Sequence, residues 1–191
     1  MRTIRTKVYK FEELSVTAQQ TAISNYLSTN YENIELWNFE DECAERAAEQ
    51  GFNNAKVRYS LSYSQGDGLS FDADLDLPRL IKECKPDIKE SVLQVILANC
   101  YGCCEANTGH YAYACATDVS FYIDTNSYAE YNRLTSYVND IKIYIQDKYM
   151  FLCAELENTG YSEIEYKSSE EYAKDCIIGN EYEFTVDGKM F

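Results

Sequence analysis

The sequence predicts an α+β fold: a mainly antiparallel sheet of about five strands packed by helices, with one long helix in the C-terminal half. Three observations predict it. Residues 55–76 alternate apolar and polar side chains around a glycine-rich turn, as a hairpin with one buried face does. Residues 127–157 carry apolar side chains at helical spacing. The hairpin strands follow one another directly and the helices cluster, which favours α+β over a wound parallel sheet. With no repeat, low-complexity tract or Pro/Gly-rich linker, residues 1–191 read as a single acidic domain, and 46% hydrophobic residues suffice for a core.

Residues 4–11 read as a strand, with Val8, Tyr9 and Phe11 as β-formers. Ser15 is an N-cap for a helix to about residue 28, whose apolar face is Val16, Ala22, Ile23, Tyr26 and Leu27. A second helix is expected over 34–50, with Leu36, Trp37, Phe39, Cys43, Ala44 and Ala47 on its apolar face and Gly51 as the left-handed residue that ends it. Its other face is acidic: Glu35, Asp41, Glu42, Glu45 and Glu49. In the hairpin, Val57, Tyr59, Leu61 and Tyr63 must oppose other odd-numbered apolar residues, since opposed residues share a face. Pairing Tyr63 with Leu69 satisfies this, and it sets Arg58 opposite Asp74 and Lys56 opposite Asp76. Pro78 opens a short helix and Pro86 a longer one to about Asn99. Residues 110–123 read as a strand. Leu134, Val138, Ile141, Ile145, Tyr149 and Leu152 mark the buried face of the long helix. Ser168 and Glu171 form a capping box for a last helix to about Ile178, and residues 181–186 a final strand before an Asp187-Gly188 turn.

Composition narrows the function. Seventeen basic and 32 acidic residues give a net charge of −15, spread over the chain: 11 against 17 in residues 1–110, and 6 against 15 in residues 111–191. Neither part offers a basic face to phosphates, so direct nucleic-acid binding is disfavoured and a cationic protein partner is easier to accommodate. Acidity alone also keeps a protein soluble. No run of apolar residues is long enough to span a membrane, and the basic start lacks a signal peptide's apolar stretch. A cytoplasmic protein with eight reduced cysteines is expected.

Four constellations could carry chemistry. Ser64-Gln65-Gly66-Asp67-Gly68 could let a ligand approach the backbone and present Gln65 and Asp67, or it could simply turn the hairpin. Asp72, Asp74 and Asp76 could hold a hard cation, or form a charged sheet face with Lys56 and Arg58 opposite. Cys100 and Cys103 have chelate spacing, and His110 or Cys115 could complete a zinc site; a packed set of thiols is the alternative. Finally, 18 of the 27 aromatic residues are tyrosine. Rings such as Tyr128, Tyr131, Tyr161, Tyr166 and Tyr172 are efficient contact residues if exposed. No phosphate loop, dinucleotide fingerprint or nucleophile elbow occurs, and no cofactor is expected.

The opening Val8-Tyr9-Lys10-Phe11-Glu12-Glu13-Leu14-Ser15 with Ala18 and Ala22 resembles the start of a family of small phage and prophage proteins. So do Tyr63-Ser64-Gln65-Gly66-Asp67-Gly68 with Phe71, and the closing Asn180-Glu181-Tyr182-Glu183-Phe184-Thr185 with Asp187-Gly188. The family is of unassigned function, some members are loosely labelled antitoxin-like, and some small acidic phage proteins of this size are anti-CRISPR inhibitors. The cysteine cluster is outside its pattern. The resemblance implies a phage-derived protein, acting in the cytoplasm of a bacterial host, that inhibits a nucleic-acid-guided nuclease. Its contacts would be Glu42, Glu45, Glu49, Gln65, Gly66 and Asp67, with acidic and tyrosine-rich surface filling a basic channel. The alternatives are a metal-assisted nuclease built on the Gln65–Asp76 hairpin, or an antitoxin holding a basic toxin. Oligomeric state is left open.

Overall fold

The computed structural model describes residues 6–30, 34–84, 86–106 and 112–191. In chain order its elements are β1 (Tyr9–Lys10), α1 (Val16–Asn30), α2 (Phe39–Glu49), β2 (Phe52–Ser60), β3 (Gly68–Leu75), α3 (Leu77–Cys84), α4 (Glu90–Asn99), β4 (Cys100–Glu105), β5 (Asp118–Ile123), α5 (Tyr128–Lys167), α6 (Glu170–Gly179) and β6 (Glu183–Phe184). The fold is α+β. The strands form two antiparallel sheets rather than one, a four-stranded sheet in the order β2-β3-β4-β5 and a two-stranded one of β1 and β6. The chain divides into two compact units: Met1–Trp37 with Tyr161–Phe191, and Asn38–Gly160.

In the first unit, the Ser15 hydroxyl accepts from the Ala18 amide at 3.3 Å and starts α1 as an N-cap. The expected apolar face holds at Ala22 and Ile23, but Val16 is exposed, because the first turn lies beyond the edge of the core. That core joins Phe11, Leu14, Ala18, Ala22 and Ile23 to Ala173, Ile177 and Phe184, with Phe11 and Phe184 edge to face at 6.3 Å. The strand expected over 4–11 shortens to Tyr9–Lys10, because a 3₁₀ turn takes over at Phe11–Glu13; residues 1–5 lie outside the described residues. The last helix is capped by Ser169, whose hydroxyl accepts from the Tyr172 amide at 3.2 Å. Ser168, the expected cap, instead donates to the Ile164 carbonyl at 2.7 Å, because α5 runs on to Lys167 instead of ending near 157.

In the second unit, β2 and β3 pair as a hairpin of the expected parity in a different register. Val57 opposes Phe71 and Tyr59 opposes Leu69, so apolar residues do share a face. Lys56, however, opposes Asp72, and Arg58 opposes Ser70, rather than Asp76 and Asp74. The shift follows from a longer loop over 61–67, which its own hydrogen bonds hold closed; a bulge between Asn53 and Lys56 then moves the register by one more residue at Asn53 and Phe52. Arg58 thereby loses its expected carboxylate, and its Nε and Nη2 are buried with no hydrogen-bond partner among the described residues. Gly51, with φ +90°, ends α2 as expected. That helix begins only at Phe39, because Asn38 is left-handed at φ 62°.

The Cys-rich segment is a strand, β4, which sequence reading missed. The strand expected over 110–123 reduces to β5 preceded by a 3₁₀ turn at Ala114–Ala116, with residues 107–111 outside the described set. The helix-side sheet face carries Leu69, Phe71, Ala73, Cys104 and Val119, all buried, and α5 lies on it. Leu134, Val138, Ile141, Ile145, Tyr149 and Leu152 are all buried, as the helical period requires. The β3–β4 pairing covers only Ala73–Cys104 and Asp74–Cys103. Beyond it, the Tyr149 hydroxyl stands in for a strand: it donates to the Phe71 carbonyl (3.0 Å) and accepts from the Phe71 amide (2.8 Å). Among the described residues no helix is long and apolar enough to cross a membrane.

Candidate functional site

Helix α2 displays the carboxylates that sequence reading singled out. Phe39, Cys43 and Ala47 anchor it in the core, and the edge of Phe39 packs on Tyr59 with ring centroids 5.1 Å apart. Fixing that stripe turns Glu42, Glu45 and Glu49 outward, and all three are exposed. Their spacing of three and four residues places them along one side of the helix, over a length of roughly 10 Å. Arg46 lies among them and bonds both Glu49 (3.1 Å) and Glu155 of α5 (3.2 Å). Glu155 first and Glu49 second raise the pKa of the Arg46 guanidinium, and the ion pair ties the α5 carboxylate into the row. A groove of about 280 Å³ runs beside it, lined by Phe39, Glu42, Arg46, Glu155 and Thr159.

The loop between β2 and β3 is closed by Asp67. One carboxylate oxygen accepts from the Ser62 and Ser64 amides at 2.8 and 3.0 Å. The other accepts from the hydroxyls of Ser60, Ser62 and Ser64 at 2.9–3.1 Å. Asp67 is thus engaged in holding the turn, while Gln65 projects its side chain from an exposed tip whose backbone carbonyl accepts from the Tyr113 hydroxyl at 2.5 Å. The loop's left-handed residue is Tyr63 at φ 57°, not a glycine. Gly68 is needed for close approach, since a Cβ there would lie 2.8 Å from the Ala112 carbonyl oxygen.

The metal constellations separate. Asp72 accepts from the Ala106 amide at 2.7 Å and Asp74 from the Asn54 side chain at 2.8 Å. Cys100 and Cys103 lie three residues apart on a strand, which points their side chains to opposite faces, so chelate spacing suited to a turn fails here. Cys103 instead donates to the Glu105 carboxylate at 3.5 Å, and Cys115 is exposed on the 3₁₀ turn. His110 lies outside the described residues. Among the described residues no three of Cys, His, Asp and Glu are grouped as metal donors. Of the other cysteines, Cys43, Cys104 and Cys153 are buried, and burial pushes the Cys153 thiol up to about 12.

Trp37, expected on the buried face of the second helix, precedes α2 and is 72% exposed. Within the first unit it lines a cavity of about 260 Å³ with Tyr26, Leu27, Ile34 and Tyr172. Lys167 closes one side, donating to the Glu35 carbonyl (2.6 Å) and pairing with Glu163 (2.7 Å).

Glu157 adds a carboxylate close to Asp67. Burial first, and the Asp67 charge second, raise its pKa above the ordinary glutamate value. The folded chain therefore holds this proton more tightly than the unfolded chain, and ionised Glu157 costs stability above its folded pKa. The cost vanishes as pH falls below the ordinary glutamate value of about 4.3. Glu157→Gln is expected to raise Tm near neutral pH and to lose that advantage as the pH approaches 4, about the ordinary glutamate value. Thermal melts of both proteins across that range test it, and a gain independent of pH would remove ionisation as the cause.

No family model matches the chain, and comparison with curated proteins and with solved structures returns no match.

Proposed function

We propose that the chain is a binding protein that holds a basic protein partner through its acidic surface. We take that partner to be a nucleic-acid-guided nuclease of a bacterial host, inhibited when the chain fills the groove meant for nucleic acid. The observation that carries the reading is the exposed row Glu42, Glu45 and Glu49 on α2, extended by Glu155, in a chain of net charge −15. Carboxylates spaced along a rigid helix can replace backbone phosphates in a basic channel, and they steer association as well as hold it. The nuclease and the phage origin rest on the resemblance of the three sequence motifs. Metal-assisted cleavage by the hairpin has less support, because Asp67, Asp72 and Asp74 each serve a separate structural bond.

The test is capture from bacterial lysate, with and without nuclease treatment, read by mass spectrometry. One nucleic-acid-guided nuclease retained after the treatment supports the reading, and a small basic toxin in its place would make the chain an antitoxin. Reversing Glu42, Glu45 and Glu49 to Lys is expected to weaken the captured complex by about tenfold or more, with a shallower salt dependence. Unchanged affinity would remove α2 from the interface.

A further inference from the structure

The four-stranded sheet has a second face, which no helix covers at β4 and β5 among the described residues. Register places Tyr101 opposite Tyr122, Cys103 opposite Ser120, and Glu105 opposite Asp118. Asp74 continues the row beside Cys103. The two tyrosine rings stack at 5.0 Å with planes 17° apart, and they are 61% and 41% exposed. Glu105, Asp118 and Asp74 are exposed as well.

Two features of this face cost the free protein stability. A flat aromatic pair stands in water, and two carboxylates sit directly opposite each other, a cross-strand arrangement that destabilises a sheet. Lys142 reaches Asp118 at 3.3 Å and offsets part of the repulsion. Glu105 has no ion pair among the described residues; it accepts only the weak Cys103 thiol bond and lies near the Tyr122 hydroxyl. The other cations of this face, Lys56 and Arg58, stand across the sheet on β2, opposite Asp72 and Ser70, and the Arg58 guanidinium is buried there.

One kind of occupant relieves both costs. A guanidinium is planar, stacks on a tyrosine face and donates in a fork to a carboxylate, whereas an ammonium does neither as well. Tyr101 and Glu105 are four residues apart on β4, roughly 13 Å, which matches two side chains four apart on an extended partner segment. We propose that this face docks an arginine-bearing segment of a protein partner, with one guanidinium on the Tyr101–Tyr122 pair and a second cation at Glu105 and Asp118. The inference rests on the reading of the chain as a binder of a basic partner, but it concerns a surface separate from α2.

The experiment is an amide NMR titration of the full chain with hexaarginine and, separately, hexalysine. Expected are shifts concentrated at residues 100–105 and 118–123, with hexaarginine binding about threefold or more tightly than hexalysine. Tyr101→Ala with Tyr122→Ala should bring hexaarginine down to the hexalysine affinity, while Tyr101→Phe should retain the preference. Equal affinity of the two peptides, or no binding, overturns the proposal. Shifts confined to α2, abolished by the Glu42, Glu45 and Glu49 reversal, overturn it too but leave the basic-partner reading standing.

Discussion

Replacing Tyr149 with phenylalanine is expected to cost about 3 kcal/mol of folding stability, although it removes only one oxygen. That oxygen makes three bonds in a fully buried place: to the Phe71 amide, to the Phe71 carbonyl and to the Thr117 hydroxyl at 2.9 Å. The single phenol proton goes to the Phe71 carbonyl, so Thr117 donates. Burial drives the phenol pKa far up, so the group stays protonated and able to donate at any ordinary pH. In the variant, the ring contacts with Phe71 (4.6 Å) and Phe52 (5.9 Å) remain. What is lost is the partner of a buried backbone N–H and C=O, each costing about 1–3 kcal/mol when left bare. Urea denaturation reads the difference directly. A loss under about 1 kcal/mol would mean that β4 extends its pairing to cover Phe71, or that water enters.

Gly188→Ala is expected to cost about as much, roughly 3 kcal/mol, by a different route. Gly188 has φ +81°, a region that alanine enters only with strain. A Cβ there would also strike the Ala18 carbonyl oxygen, with the carbonyl carbon at 2.9 Å and the Cα at 3.2 Å. These are backbone atoms of α1 next to a buried residue, so they cannot swing aside as a side-chain tip could. Gly179 supplies the control, because a Cβ there would meet nothing within 4 Å. Gly179→Ala should change stability by no more than about 0.5 kcal/mol. Thermal melts of the two variants side by side decide the matter; equal melting temperatures would show that the Asp187-Gly188 turn yields without cost.

How much could be read in advance depended on whether the determining contacts are local. The buried stripe of α5 was legible because the helical period alone selects Leu134 through Leu152. The acidic side of α2 was legible for the same reason, since burying Phe39, Cys43 and Ala47 leaves Glu42, Glu45 and Glu49 outside. The hairpin was half legible. Alternation settles which residues share a face, but the register depends on Asp67 bonding Ser60 at the end of β2 and Ser62 and Ser64 in the loop, a set of side-chain bonds that alternation does not encode. Strand β4 was illegible because Cys100-Tyr101-Gly102-Cys103-Cys104-Glu105 is poor in β-branched residues; its conformation is imposed by β3 and β5 on either side. The Tyr101–Tyr122 pair was hidden with it, since two tyrosines become neighbours only once the register is known.

The first unit is assembled from both ends of the described chain: Tyr9 pairs with Phe184, and the Lys10 ammonium bonds the Glu181 carbonyl across 171 residues. During synthesis, Ala18, Ala22 and Ile23 leave the ribosome long before Ala173 and Ile177 exist to cover them. Until then the nascent α1 carries an uncovered apolar stripe, a natural chaperone target. Residues 38–160 suffer no such delay, being contiguous. Their collapse shortens the effective loop that must close before the two flanking segments can meet, so the unit built from those segments is the last to be finished.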